Sequence, residues 1–322
     1  MKENWEVEGP KIVVSKEEAD QRIDGKEPIT YSILRTGLTC PKKMYWRYYQ
    51  GFRSAPSDNQ LLGSAFHRGM ELQDPLEAAR YYRDNYPGFI DESVTTKNNM
   101  LAFMVRGAMA RWNYEYKEIR PEQTFRLPLV NPDTDRPSRN YYWAGKIDAV
   151  GLTTEDQWFL IERKTTGQSL EKYFDLLVLD HQLTGYLLAS SIIHAVDLEG
   201  VDYQVARKPS IRQKKQESLE DFIRRLDQDY IDRPEFYFHR KIVPFNRRTI
   251  EDFQRTLWDT SQLFHWFEKN DTWPMNTSRC GDFGGCPYIP LCTHQKDAQF
   301  QYTRDYRRAP ELEEEAHDGV AD

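Results

Sequence analysis

Apolar residues recur along the chain at two different periods, which separate helical stretches from extended ones. Over residues 98–118, Leu101, Met104, Val105, Met109 and Trp112 fall near helical spacing. The same spacing sets Leu183, Leu187, Leu188 and Ile192 on one face of a helix from Asp180 to about Ala195. Further helices are expected from Thr30 through 42–50 with a break around Thr39-Cys40-Pro41, then over Asp58–Leu72 despite Gly63 and Gly69, and over 75–86, 217–229 and 249–268. Aromatic and β-branched runs predict strands at about 123–130, 140–151, 157–164, 200–206 and 235–243. Helices, a central group of strands, then further helices and strands indicate an α/β (α+β) fold with a mixed central sheet flanked by helices.

Two of these strands end in chemistry. The first runs Tyr-Tyr-Trp-Ala-Gly-Lys-Ile-Asp148-Ala-Val, and the second runs Gln-Trp-Phe-Leu-Ile-Glu162-Arg163-Lys164-Thr-Thr. The polar stretch Thr153–Gln157 between them reads as a hairpin turn. Side chains alternate across a strand, so Glu162 and Lys164 share a face with Trp158 and Leu160 while Arg163 points away. An acid on an apolar face conflicts with burial, and a bound divalent metal resolves the conflict. Asp148 and Glu162 supply hard oxygen donors of the kind that bind Mg²⁺ or Mn²⁺.

Length and charge narrow the reading. At 322 residues, without internal repeat or low-complexity linker, one compact domain over 29–300 is expected, after an N-terminal arm at 1–28 and before an acidic, disordered tail at 301–322. No apolar run is long enough to cross a bilayer, and the N-terminus lacks a signal-peptide stretch, so a soluble, cytoplasmic protein is expected. The net charge of −7 argues against a nucleic-acid partner only if evenly spread. Six acids and no Lys or Arg follow Pro310, which leaves the rest of the chain nearly neutral. Lys42, Lys43, Arg47 and Arg53 are interleaved with Tyr45, Trp46, Tyr48, Tyr49 and Phe52. Such a pattern suits stacking and phosphate contact, and equally suits an amphipathic helix.

The four cysteines are Cys40, Cys280, Cys286 and Cys292, the last three in a Gly/Pro-rich loop. In a chain of this type, four thiols point to a metal or cluster rather than to two disulfides. Their spacing departs from the Cys-x-x-Cys of many zinc sites.

Together these pieces resemble the PD-(D/E)XK nucleases of the RecB type, and in particular their iron–sulfur, CRISPR-associated-like exonuclease branch, with a phage-encoded origin as a further expectation. Four stretches carry the resemblance. Gly63-Ser-Ala-Phe-His67 looks like the family's metal-binding histidine, Gly145-Lys-Ile-Asp148 like its Gly-x-x-Asp motif, and Glu162-Arg-Lys164 like its (D/E)-x-K motif. Gln182-Leu-Thr-Gly-Tyr186 looks like the Gln-x-x-x-Tyr element, one helical turn that would reach the DNA backbone or support the lysine. Cys40-Pro-Lys-Lys-Met-Tyr45 is similar to the Cys-Pro-x-x-x-Tyr start of the iron–sulfur members, although the C-terminal triplet is more widely spaced than in its CRISPR-associated and AddB-type relatives. The resemblance spans about residues 30–295.

It implies a restriction-endonuclease-like fold with a C-terminal cysteine-rich lobe and a Mg²⁺- or Mn²⁺-dependent deoxyribonuclease. Its metal ligands would be His67, Asp148, Glu162 and the carbonyl of Arg163, with Lys164, Gln182 and Tyr186 completing the site. Cys40, Cys280, Cys286 and Cys292 would hold a [4Fe–4S] cluster, with zinc as the alternative. The expected substrate is DNA, at ends or as single strands, in recombination, repair or phage DNA metabolism, alongside a recombination or replication partner. A catalytically weak DNA-end-binding module acting within a larger complex is the alternative, and a site-specific restriction enzyme a third.

Overall fold

The structure, a computed structural model, describes residues 12–14, 21–167, 170 and 174–313. Its strands are β1 (Ile12–Val14), β2 (Glu27–Ile29), β3 (Phe52–Arg53), β4 (Tyr116–Val130), β5 (Pro137–Thr153), β6 (Trp158–Thr166), β7 (Leu198–Arg207), β8 (Phe238–Val243) and β9 (Thr303–Asp305). Its helices are α1 (Tyr31–Thr39), α2 (Pro41–Met44), α3 (Asp58–Leu72), α4 (Pro75–Asn85), α5 (Glu92–Trp112), α6 (His181–His194), α7 (Leu219–Asp232), α8 (Pro234–Tyr237), α9 (Arg247–Asn270) and α10 (Ile289–Cys292). The mixed α/β class expected from the periodicity is the class observed.

Local chemistry accounts for the helix limits. Ser57 and Gln60 form a reciprocal capping box that starts α3. Asp91 and Asp180 cap α5 and α6 through their carboxylates. The break expected near Cys40 is present: Cys40 is extended, and Pro41 opens the next helical turn. Several boundaries differ from expectation, among them the helix expected over 98–118, which runs Glu92–Trp112 and gives way to β4 from Tyr116. The strands holding Asp148 and Glu162 run on to Thr153 and Thr166, so both acids lie in strand interiors rather than at strand ends. The hairpin turn itself falls at Thr153–Gln157 as expected, with Asp156 in a left-handed backbone at φ of 66°. Residues 235–237 are helical because Pro234 begins a short turn, and β8 starts only at Phe238.

The chain divides into two compact units, one of Met1–Ala55, Thr124–Lys146 and Glu251–Asp322, the other of Pro56–Gln123 and Ile147–Ile250. In the first, β1 lies parallel to β9 and β3 antiparallel to it, while β2 runs parallel to the first part of β5 with Glu27 opposite Tyr141. Phe52, Tyr288, Leu291, Ala298 and Tyr302 form one core cluster there, with Tyr288 stacked on Tyr302 at 5.7 Å. Residues 301–313, assigned to the tail from sequence, contain β9 and a short helical turn at Pro310–Leu312. Asp305 donates its backbone N–H to the Gly51 carbonyl at 2.9 Å, and Arg308 pairs with Glu268 at 3.4 Å, which ties this segment down. Residues 314–322 and most of the arm lie outside the described residues.

In the second unit the end of β5 and β6 form an antiparallel hairpin, with Ala149 opposite Ile161. Strand β7 runs parallel to β6 after the crossover through α6, and β8 closes antiparallel to β7. Helices α3, α4, α5 and α7 build the main core of this unit around Phe66, Tyr82, Leu101, Trp112, Leu226 and Tyr237. Gly107 of α5 meets the Phe238 ring so closely that an added Cβ would sit 2.2 Å from it. Only glycine allows that approach of helix to strand.

Candidate active site

The antiparallel register of β5 and β6 carries Asp148 alongside Glu162, and Arg163 donates its backbone N–H to Asp148 Oδ2 at 2.8 Å. Helix α3 packs on β6 and delivers His67, whose Nδ1 lies 3.3 Å from Asp148 Oδ1. Lys164 reaches back to Glu162 on the shared strand face. The second unit therefore gathers His67, Asp148, Glu162 and Lys164, four residues predicted from sequence. Gln182 and Tyr186 lie one turn apart on α6, Gln182 half-buried and Tyr186 buried, on a helix that packs against β6 and β7.

Electrostatics separate the two acids. Burial alone would raise Asp148, but the His67 imidazole, Lys164 and the Arg163 amide outweigh it and hold the carboxyl well below the usual range. Burial likewise opposes charge on His67, yet the Asp148 carboxylate pulls its pKa up. Glu162 is fully buried, and desolvation pushes it up to about 7, more than Lys164 recovers. Its Oε2 has no hydrogen-bond partner.

A buried, unpartnered carboxylate oxygen normally has an explanation, such as a bound ion. Two hard carboxylates, an imidazole and a free lone-pair direction on Glu162 are donors that fit Mg²⁺ or Mn²⁺. In the geometry described, His67 is engaged with Asp148 and Lys164 with Glu162. Among the described residues no group of three or more His, Cys, Asp or Glu side chains is set to hold a metal ion as it stands.

The buried Glu162 carries a stability cost that a substitution should reveal. Its folded pKa lies above its unfolded value, so the folded state retains the proton between about pH 4.5 and 7 and loses stability as pH rises through that window. Glu162→Gln cannot ionise. It should stabilise metal-free protein by about 1 kcal/mol above pH 7, with the gain shrinking toward pH 5. Thermal melts across that range check the sign.

The four cysteines occupy the first unit, all with free, half-buried thiols. Asn276 donates its backbone N–H to Cys40 Sγ at 3.4 Å, and the Trp46 indole N–H donates to Cys292 Sγ at 3.2 Å. The Cys286 amide bonds the Cys280 carbonyl at 2.7 Å, which folds the Gly-rich loop back on itself. Burial pushes the Cys292 thiol up, and proximity to Cys286 and Cys40 adds to this. Four thiols with N–H donors aimed at two sulfurs suit a thiophilic metal or cluster.

Sequence reasoning missed the polar residues behind the acids. Arg163 donates from Nε to Gln204 at 3.2 Å, Gln204 donates to Asp202 at 2.7 Å, and Tyr116 and Arg240 also bond Asp202. The available signal was the alternation Val201-Asp202-Tyr203-Gln204-Val205, two polar positions repeating on one face of a buried strand.

Comparison with known proteins adds the following. A family model described as the PD-(D/E)XK nuclease superfamily matches residues 28–293. No curated protein matches the sequence. Among solved structures, a candidate exonuclease from Eubacterium rectale is 11% identical with a TM-score of 0.48, covering 88% of this chain and 93% of that one. A protein named SSO0001 is 14% identical with a TM-score of 0.32, covering 75% of this chain and 79% of that one. At these values neither likeness bears on activity. Among the described residues no helix is long and apolar enough to cross a membrane.

Proposed function

The chain belongs to the PD-(D/E)XK nuclease superfamily, and on that premise we propose that it is a metal-dependent deoxyribonuclease acting as an exonuclease on DNA ends or single strands. The observation that carries this reading is the buried Glu162 with an unpartnered oxygen, beside Asp148 on the neighbouring strand and Lys164 on its own. A module that only bound DNA would gain nothing from holding two mutually repelling acids side by side.

Asp148, Glu162 and His67 would hold a Mg²⁺ or Mn²⁺ ion, with the Arg163 carbonyl as a further donor. When bound, that ion supplies Lewis-acid polarisation of the phosphodiester and a lower pKa for coordinated water. Lys164 places an ammonium beside the reacting phosphate, orients the attacking water and offsets the negative charge that grows on the phosphoryl oxygens. The His67 imidazole and the Arg163 amide favour the charged, ligating form of Asp148. Gln182 and Tyr186 would steady the DNA backbone or the lysine from α6. In the first unit, Cys40, Cys280, Cys286 and Cys292 would hold a structural [4Fe–4S] cluster, with zinc as the alternative occupant. The setting of this chemistry would be DNA recombination, repair or phage DNA metabolism.

The test is an assay of anaerobically purified protein on end-labelled single- and double-stranded DNA, with Mg²⁺ or Mn²⁺. Progressive shortening from an end is the expected result. Protein that binds DNA but cuts nothing with any divalent ion would establish the binding-module alternative instead.

A further inference from the structure

Behind Glu162 and Lys164, the opposite face of β6 carries a buried polar network. Arg163 lies between Glu162 and Lys164 in sequence but points to the opposite face of β6, where it is only 4% exposed. In the registered strands, Arg163 stands opposite Gln204 on β7, and Gln204 stands opposite Arg240 on β8. This row contains two arginines with one amide between them. Asp202, fully buried and two residues before Gln204, supplies the carboxylate.

The contacts form a connected chain. Arg163 Nε donates to Gln204 Oε1 at 3.2 Å, and Gln204 Nε2 donates to Asp202 Oδ2 at 2.7 Å. Arg240 Nε donates to Asp202 Oδ1 at 2.6 Å, and Tyr116 donates its hydroxyl to Asp202 Oδ2. Arg240 continues outward to Glu115. Gln204 is thus the residue that links the Arg163 side chain to the rest. Its amide can both accept from the guanidinium and donate to the carboxylate, which no apolar residue of that size can do.

From this we infer that Gln204 is a positioning residue for the metal-binding acids. The inference rests on the nuclease reading of the Asp148–Glu162 site. The physical route is short. Holding the Arg163 side chain fixes the twist and register of its own peptide, whose N–H lies 2.8 Å from Asp148 Oδ2. That hydrogen bond leaves Asp148 a single orientation, with its other oxygen turned toward His67. Without Gln204 the Arg163 guanidinium has no hydrogen-bond acceptor among the contacts described, and burial of an unpaired cation favours its moving outward and dragging β6 with it. Partners behind metal ligands contribute to affinity in this manner even though they never touch the ion.

The experiment compares two substitutions that strip Asp202 of different donors. Gln204→Met cuts the link to Arg163, whereas Tyr116→Phe removes a hydroxyl from Asp202 and leaves Arg163 engaged. Mn²⁺ binding to the full chain is followed by the electron paramagnetic resonance of free Mn²⁺ well below the melting temperature, beside thermal melts of metal-free protein. Gln204→Met should weaken Mn²⁺ binding by about 10–100-fold, while Tyr116→Phe lowers the melting temperature yet holds Mn²⁺ within about twofold of wild type, the scale of a change outside the support of the ligands. If Gln204→Met does not fold, Gln204→Asn keeps an amide one methylene short of Arg163 and should show the same selective loss. Wild-type affinity in the folded Gln204 variants, or an equal loss in Tyr116→Phe, would overturn the inference and leave the nuclease reading intact. A wild-type protein whose Mn²⁺ binding is unaffected by Asp148→Asn would remove both.

Discussion

Asp148→Asn and Lys164→Met should each reduce DNA cleavage by a factor of about 10³ or more, on the scale seen when a charge-stabilising group is removed from a reacting centre. The two act differently. Asp148→Asn takes away the acid whose charged form the Arg163 amide and His67 favour, so the site loses a ligand and should bind Mn²⁺ weakly. Lys164→Met leaves the acids in place but strips Glu162 of its cation, so Mn²⁺ binding should survive while turnover does not. Both variants should still bind DNA, and Asp148→Asn should bind it somewhat more tightly at low salt because one negative charge near the phosphates has gone. Filter binding beside single-turnover cleavage separates these effects. Wild-type cleavage by either variant would exclude the Asp148–Glu162–Lys164 site as the cutting centre.

The second large effect is expected far along the sequence, in the first unit. Cys286→Ser should empty the thiol site of iron, or of zinc if zinc is the occupant. It should also lower the melting temperature by about 10 °C or more, since a structural metal site contributes its binding free energy to folding. The reason lies in how little else secures this loop. The segment between Cys280 and Cys286 is short helical turn and glycine, tied among the described residues by local bonds alone: Cys286 N–H to the Cys280 carbonyl, Gly285 N–H to the Asp282 carbonyl, and Arg279 to Asp282. Beyond it, Tyr288, Leu291 and Tyr302 pack on Phe52, with Cys286 at the edge of the cluster. Iron, sulfide and zinc analysis together with a melting curve reads the result. Unchanged metal content and unchanged melting would remove the four-cysteine site.

How far these sites could be read from sequence differs residue by residue. Asp148, Glu162 and Lys164 were legible because a hairpin is local: alternation sets the faces, and a polar turn sets the pairing. Their place within the strands was less legible, since the turn chemistry at Asp156 decides where the hairpin ends. His67 was legible as a partner of Asp148 only through the family resemblance, because no local pattern between residues 67 and 148 specifies that α3 lies on β6. The cysteines were legible by type and count alone. The hydrogen bonds from Trp46 and Asn276 to two of their sulfurs come from residues with no metal-site signature. Asp202 and Gln204 went unread although their alternation was visible, because an isolated polar pair on a strand is as compatible with solvent as with a buried network.

The sequence by itself determined the α/β class, the helix caps and the placing of two acids and a lysine on one face of a hairpin. These follow from periodicity and turn residues, interactions that span a few positions at most. Only the tertiary structure decided that His67 meets Asp148, that Arg163 turns inward to Gln204 and Asp202, and that Glu162 is buried with an oxygen unpartnered. Those outcomes depend on how helices and strands distant in the chain pack together, and packing free energy is shared among many contacts that no local pattern records.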